Sequence, residues 1–118
     1  DGAPVSDVSQ VTTHVLDAAE GMPAREVPVS LTVQRDSAWI TVADAVTDDD
    51  GRVTTLGPAR LDPGTYRIVF DTGRYFVAKG RPAFYPDITI TFALTDSEQH
   101  YHVPVLLSPF AYSTYRGS

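Results

Sequence analysis

The chain has no cysteine among its 118 residues, which excludes a disulfide, a thiolate metal site and a thiol nucleophile. It also has no apolar run near the ~18 residues that a membrane-spanning helix needs, so no membrane partner is expected. The first residue is Asp1 and not Met, which is compatible with a removed signal peptide. We expect a cytoplasmic protein, or a periplasmic one if a signal peptide preceded Asp1.

Basic residues are scarce: 9 Lys and Arg stand against 15 Asp and Glu, for a formal net charge of −6. A nucleic-acid-binding protein normally carries a basic patch, so this balance argues against a nucleic-acid partner. An acidic protein can still bind a small anion where a few cations are focused in a cleft. The net charge therefore does not exclude binding of a small molecule.

Length and composition are those of one globular domain. Hydrophobic residues make up 42% and charged residues 20%, which are ordinary values. A chain of this size can bury a hydrophobic core without disulfides or bound metal ions. Residues 1–10 are small, polar and contain Pro and Gly, so we predict a flexible lead-in there. Residues 11–118 are predicted to form the domain.

Apolar and polar residues alternate in short runs separated by turn residues, which is the pattern of an all-β protein. The only plausible helix covers residues 72–80. The predicted strands are 11–17, 28–34, 38–46, 53–56, 65–71, 87–95, 100–107 and 111–115. Seven or eight strands at this spacing favour an antiparallel β-sandwich over a βαβ fold.

The three histidines are the first candidates for chemistry. His14 lies on the strand face opposite Val11 and Val15, so it points outward if those two are core; a surface histidine with one hydrogen bond is the ordinary outcome. His100 and His102 project from one face, as half of a metal site would. No carboxylate joins them at ligand spacing and zinc needs more ligands, so we expect no metal.

Arg52 follows Gly51 in the predicted turn TDDDGR at 47–52. It is either a solvated turn arginine or an anion clamp, because the guanidinium offers a planar fork of donors. The acidic run lacks the alternating ligands and closing Glu of a calcium loop. Ser108 and Ser113 have no nucleophile-elbow setting, and Tyr115 could simply cover the core.

Three segments together resemble the 5-hydroxyisourate hydrolases, transthyretin-related enzymes of urate degradation. They are VTTHVLD at 11–17, TDDDGR at 47–52 and HYHVPVLLSPFAYSTYRGS at 100–118. The hormone-carrier branch of that family lacks the final YRGS. Val11, Val105 and Ala111 depart from the frequent Leu, Leu and Gly, but these changes are apolar or small and leave the polar positions intact.

The resemblance implies a transthyretin-like antiparallel β-sandwich of about eight strands in two sheets. It also implies a homotetramer whose central channel holds the active sites. The expected reaction is opening of 5-hydroxyisourate by water to 2-oxo-4-hydroxy-4-carboxy-5-ureidoimidazoline, with no cofactor and no metal.

Carried over residue by residue, the resemblance implies that His14, Arg52, His102 and residues 115–118 line each site. His102 is our predicted general base, with His14 orienting water or sharing its proton. Arg52 is expected to bind the anionic substrate and stabilise developing charge. Tyr115, Arg116 and Gly117 are predicted to contact substrate, Tyr115 by positioning the ring. Ser118, with its terminal carboxylate, is predicted to complete the polar wall of the catalytic site, and His100 to be structural.

Two other functions remain open. A transthyretin-like carrier would hold a small aromatic ligand in the same channel without catalysis, but such a protein is expected to lose the histidines and the YRGS end. A metal-binding or structural sandwich would use His100 and His102 directly.

Overall fold

The computed structural model describes residues 8–118, which form two packed β-sheets and one short helix. The elements are β1 (Val11–Asp17), β2 (Met22–Pro23), β3 (Pro28–Arg35), β4 (Ala38–Val46), β5 (Arg52–Val53), β6 (Gly64–Phe70), α1 (Thr72–Ala78), β7 (Ile88–Leu94), β8 (Tyr101–Ser108) and β9 (Ala111–Thr114). Within these residues, no helix has the length and apolar character to cross a membrane.

The first sheet has the order β2-β1-β8-β9, and β5 pairs with β1 beside β2; the second has the order β4-β3-β6-β7. All ladders are antiparallel except that of β1 and β8, which run parallel. The expected β-sandwich is therefore antiparallel in its other described ladders, and β1–β8 is the one described strand pair that departs from the expectation. Antiparallel neighbours here include hairpins such as β3–β4, whereas β1 and β8 are separated by most of the chain and no tight turn dictates their direction.

The core lies between the sheets and follows the predicted alternation. Val11, Thr13 and Val15 of β1 are all buried, as are Tyr66, Ile68 and Phe70 of β6. Burial of each large apolar side chain contributes roughly 1.5–3 kcal/mol. The predicted β-sandwich is confirmed, and the opposite face of β1 is left outside the core.

Several element boundaries differ from those predicted. The strand expected over 53–56 is only Arg52–Val53, because Leu56 leaves the ladder and is fully buried. The loop expected over 18–27 contains the two-residue strand Met22–Pro23, paired with the end of β1. The last strand stops at Thr114 and the helix at Ala78, each short of the predicted end.

The predicted lead-in over residues 1–10 falls only partly within the described residues, since residues 1–7 lie outside them. Ser9 and Gln10 are 2% and 4% exposed. The Gln10 amide oxygen accepts a hydrogen bond from Leu61 N at 2.5 Å, and its Nε2 donates to Gln99 O at 2.8 Å. The packed domain thus begins at least two residues before the predicted boundary at Val11.

A buried carboxylate ties the end of β1 to the helix and the loop that follows it. Asp17 is fully buried and accepts hydrogen bonds from Arg81 at 2.5 Å and from the Tyr75 hydroxyl at 2.8 Å. Burial alone raises the pKa of Asp17. The hydrogen bonds from Arg81, Glu20 N–H and Tyr75, with the Arg81 charge, outweigh burial and hold that pKa below its usual value. Asp17 is therefore an ionised, paired anchor for β1.

Candidate active site

A cavity of about 230 Å³ opens on the outer face of the first sheet, where β1, β5 and β8 meet. In the parallel β1–β8 ladder Thr12 lies opposite His102, so the even-numbered residues of both strands project from one face. Residues from four parts of the chain line the cavity: Val8, Thr12, Thr13, Arg52, Thr54, His100, His102 and Ser118.

The turn before β5 is held against β1 by its own hydrogen bonds. The Asp48 carboxylate accepts from Asp50 N and from Arg52 N, both at 2.9 Å. Gly51 has φ +75°, and a Cβ there would lie 2.3 Å from the Val15 carbonyl oxygen. Only glycine allows this close approach, which brings Arg52 beside β1.

His14 lies opposite Arg52 in the β1–β5 ladder. Its ring Nε2 is 2.9 Å from the Asp50 carbonyl oxygen. A carbonyl only accepts, so Nε2 is the donor and carries a proton. In the neutral ring Nδ1 is then the nitrogen with the lone pair, and the tautomer of His14 is set by the turn.

His102 is half-buried on β8, and its Nδ1 is 2.8 Å from the Thr12 hydroxyl. Burial lowers the pKa of His102, and the nearby His100, Arg52 and His14 lower it further. The ring is therefore neutral near pH 7 and able to accept a proton.

Arg52 presents an exposed side chain to the cavity. Three other arginines of the described residues form ion pairs with carboxylates: Arg81 with Asp17, Arg25 with Asp49 at 3.7 Å, and Arg60 with Glu98. Between residues 8 and 118, no ion pair involves the Arg52 guanidinium. An unpaired guanidinium beside two histidines provides local positive potential in an acidic protein, which suits an anionic ligand.

The segment after β9 returns to β8 and closes one side of the cavity. Gly117 N donates to the His102 carbonyl at 2.8 Å. A Cβ at Gly117 would lie 2.6 Å from His102 Cδ2 and 3.3 Å from Pro104 Cγ. The backbone thus approaches the imidazole more closely than any residue with a side chain allows, and it places Ser118 at the cavity.

Tyr115 and Arg116 lie elsewhere within the chain. They line a separate cavity of about 290 Å³ at the edge of the sandwich, together with Tyr101 and Phe92. The Arg116 guanidinium is 4.4 Å from the Tyr101 ring centroid and donates to Gln99 at 2.9 Å. Within one chain, neither residue lines the cavity beside His102, and their predicted contact with substrate stays a prediction.

Two side chains contact His102 in ways that the sequence does not predict. Thr12 shares the outward face with His14 by alternation, but only the β1–β8 pairing shows that it contacts His102. His100, expected to be structural, contacts the same hydroxyl at 3.1 Å. The described residues contain no group of three or more His, Asp or Glu that could hold a metal ion.

Comparisons with known proteins match this chain over nearly all of its length. The HIUase/Transthyretin family model matches residues 11–117. The 5-hydroxyisourate hydrolase of Salmonella typhimurium is 43% identical over 109 residues, covering 92% of this chain and 80% of that protein. The structure of Klebsiella pneumoniae 5-hydroxyisourate hydrolase superposes with a TM-score of 0.83 at 38% identity, covering 92% of this chain and 97% of that chain. Sea bream transthyretin in complex with thyroxine gives a TM-score of 0.86 at 31% identity, covering 92% and 94%.

Proposed function

Because the chain belongs to the HIUase/Transthyretin family, we propose that it hydrolyses 5-hydroxyisourate in urate degradation, as the Salmonella and Klebsiella relatives are named for doing. The observation that carries the proposal is the meeting of Arg52, His102 and Ser118 around one cavity, with His14 paired beside Arg52. The same fold binds thyroxine in sea bream transthyretin, so the fold alone does not decide the function.

The proposed reaction begins with His102. Its neutral ring accepts a proton from water while the water oxygen attacks the carbonyl carbon of the cyclic amide. The carbonyl oxygen becomes an oxyanion in the tetrahedral intermediate. The C–N bond then breaks, and the leaving nitrogen takes the proton back from His102. The ring opens to the ureidoimidazoline, whose new carboxylic acid loses its proton to solvent and becomes the carboxylate. No cofactor or metal is needed in this scheme.

Arg52 and His14 bind the substrate, stabilise the oxyanion and orient the attacking water. The unpaired Arg52 guanidinium binds the anionic, carbonyl-rich substrate and stabilises the oxyanion, where a positioned donor acts more strongly than it does in water. His14, whose Nε2–H is held by Asp50, presents Nδ1 as an acceptor that orients the attacking water. Ser118 completes the polar wall of the cavity.

The direct test uses freshly generated 5-hydroxyisourate, followed by its ultraviolet absorbance with and without the protein. We expect decay well above the spontaneous rate, in proportion to protein concentration. A decay equal to the spontaneous rate would contradict the hydrolase. Binding of thyroxine without any acceleration of decay would favour the carrier.

We also expect four copies to assemble, as the resemblance implies. Exposed aromatic side chains occur near the exposed strand β9, at Phe110, Tyr112 and Tyr115, and apolar exposure of this kind is typical of an interface. Tyr115 is 58% exposed within one chain and is free to take part in such a contact. Sedimentation at micromolar concentration should give the mass of a homotetramer, and a monomer at the concentration of the assay would contradict it.

Gly117→Ala should lower turnover by about 10-fold or more, a share of the ~10²–10⁴-fold that a positioned general base supplies. The new methyl group overlaps His102 Cδ2 at 2.6 Å, so the imidazole has to move. The measurement is the kcat of the variant together with its melting temperature. Gly64→Ala is the matched control, because its Cβ would meet only ordinary contacts, the nearest at 3.7 Å. Equal kcat values for the two variants would contradict the role of the close approach.

A further inference from the structure

Thr12 joins two histidines through one hydroxyl. Its Oγ1 lies 2.8 Å from His102 Nδ1 and 3.1 Å from His100 Nε2. The two rings stand 6.3 Å apart, with 17° between their planes. Thr12 is 4% exposed, so the hydroxyl is shielded from water that could replace either partner.

A hydroxyl has one proton to donate and two lone pairs that accept, so when Thr12 donates its proton to one of the two rings, this row of three groups has two arrangements. In the first, His102 Nδ1–H donates to Thr12, and Thr12 donates to His100 Nε2. In the second, His100 Nε2–H donates to Thr12, and Thr12 donates to His102 Nδ1. Of these two, only the first arrangement leaves the lone pair of the neutral His102 ring at Nε2.

We propose that Thr12, supported by His100, is a positioning residue that fixes His102 in the Nδ1–H tautomer and so leaves Nε2 free to act as the base. The inference rests on the proposed function, because a base acting through Nε2 needs the first arrangement. Gly117 packs against Cδ2, the atom next to Nε2, so the tautomer and the position of the ring are set from different sides.

The arrangement also supports the charged state of the ring. When Nε2 takes the proton from water, His102 becomes an imidazolium. Its Nδ1–H bond to Thr12 then becomes charge-assisted and stronger. The proton taken at Nε2 passes from the same atom to the leaving nitrogen, and the ring returns to the Nδ1–H tautomer. His100 accepts the Thr12 proton throughout and needs no contact with substrate.

The first test substitutes Thr12→Val, which keeps the branched shape and removes the hydroxyl. We expect kcat to fall about 10-fold with KM little changed, part of the ~10²–10⁴-fold contribution of a general base. Thr12→Ser restores the hydroxyl and should recover most of the lost turnover. Thr32→Val is the matched control: Thr32 lies on β3 in the other sheet, and its hydroxyl donates to Arg67 O at 3.4 Å.

The second test reads the tautomer itself, by long-range ¹H–¹⁵N correlation spectra of histidine-labelled protein at a pH where the histidines are neutral. We expect His102 protonated at Nδ1 in the unchanged protein and in Thr12→Ser, and shifted toward Nε2–H in Thr12→Val. His102 protonated at Nε2 in the unchanged protein would overturn the inference. So would Thr12→Val with unchanged tautomer and turnover.

A variant pair at His100 keeps the test decisive if Thr12→Val fails to fold, since His100 is exposed. His100→Phe removes the acceptor, so the Thr12 proton becomes free to turn to His102 Nδ1; the tautomer should shift and kcat should fall. His100→Gln retains an oxygen acceptor and should stay close to the unchanged tautomer. If the unchanged protein does not hydrolyse 5-hydroxyisourate, the proposed function fails, while the spectra still decide whether Thr12 and His100 set the tautomer.

Discussion

His102→Ala should lower kcat for 5-hydroxyisourate by ~10²-fold or more, the share of the rate that a positioned general base supplies. No other described side chain combines a lowered pKa with a place in the cavity beside Arg52. Binding through Arg52 is retained in this variant, so KM should change much less than kcat. Near-normal turnover would move the role of base to His14.

The pH profile gives this prediction a second readout. In the unchanged protein kcat falls as pH drops through the pKa of His102, because the protonated ring cannot take a proton from water. Burial and the neighbours His100, Arg52 and His14 lower that pKa, so the acid limb should lie below the ~6.5 of an ordinary histidine. His102→Ala should lose this limb. An unchanged limb in the variant would show that another group titrates.

Arg52→Ala should lower kcat/KM by ~10²–10³-fold, the range observed when one oxyanion-stabilising donor is removed. The guanidinium has no ion-pair partner within residues 8–118. Its removal therefore leaves no carboxylate without its partner, and the fold should persist. Arg52→Lys should recover only part of the activity, because an ammonium keeps the charge and loses the planar fork. Added guanidinium ion should partly restore the alanine variant.

The control for Arg52 is Arg25→Ala, which removes an equal charge whose exposed partner, Asp49, lies 3.7 Å away. It should leave kcat/KM unchanged. Because Arg52 helps to lower the pKa of His102, Arg52→Ala should also move the acid limb to higher pH, and Arg25→Ala should not. Equal losses in both variants would mean that net charge, and not the position of Arg52, governs the reaction.

Much of the fold could be predicted because alternation reports directly which side chains are buried. Val11, Thr13 and Val15 face the core, and His14 therefore faces outward. The weak points were short ladders such as Arg52–Val53, where two residues carry no periodic signal. The parallel direction of β1 and β8 was also out of reach, because it depends on how distant segments pack.

The candidate site was predictable only in part. The resemblance predicts that His14, Arg52, His102 and Ser118 lie together. Arg52, His102 and Ser118 line one cavity, whereas His14 is opposite Arg52 in the β1–β5 ladder and is not among the residues that line it. Tyr115 and Arg116 were expected with them but lie at a second cavity. Motif proximity along the chain says nothing about which face each residue of an extended segment takes.

The terminal stretch from His100 to Ser118 illustrates the division. By itself the sequence determined which side chains are available there: two histidines two residues apart, a strand-forming run, and a glycine before the final serine. Tertiary structure decided which of these side chains lie together. β8 pairs with β1 in the register that puts Thr12 opposite His102, and the backbone N–H of Gly117 forms a hydrogen bond with the His102 carbonyl. Local alternation is written in a few neighbouring residues, whereas register between strands some 90 residues apart is set by packing of the whole core.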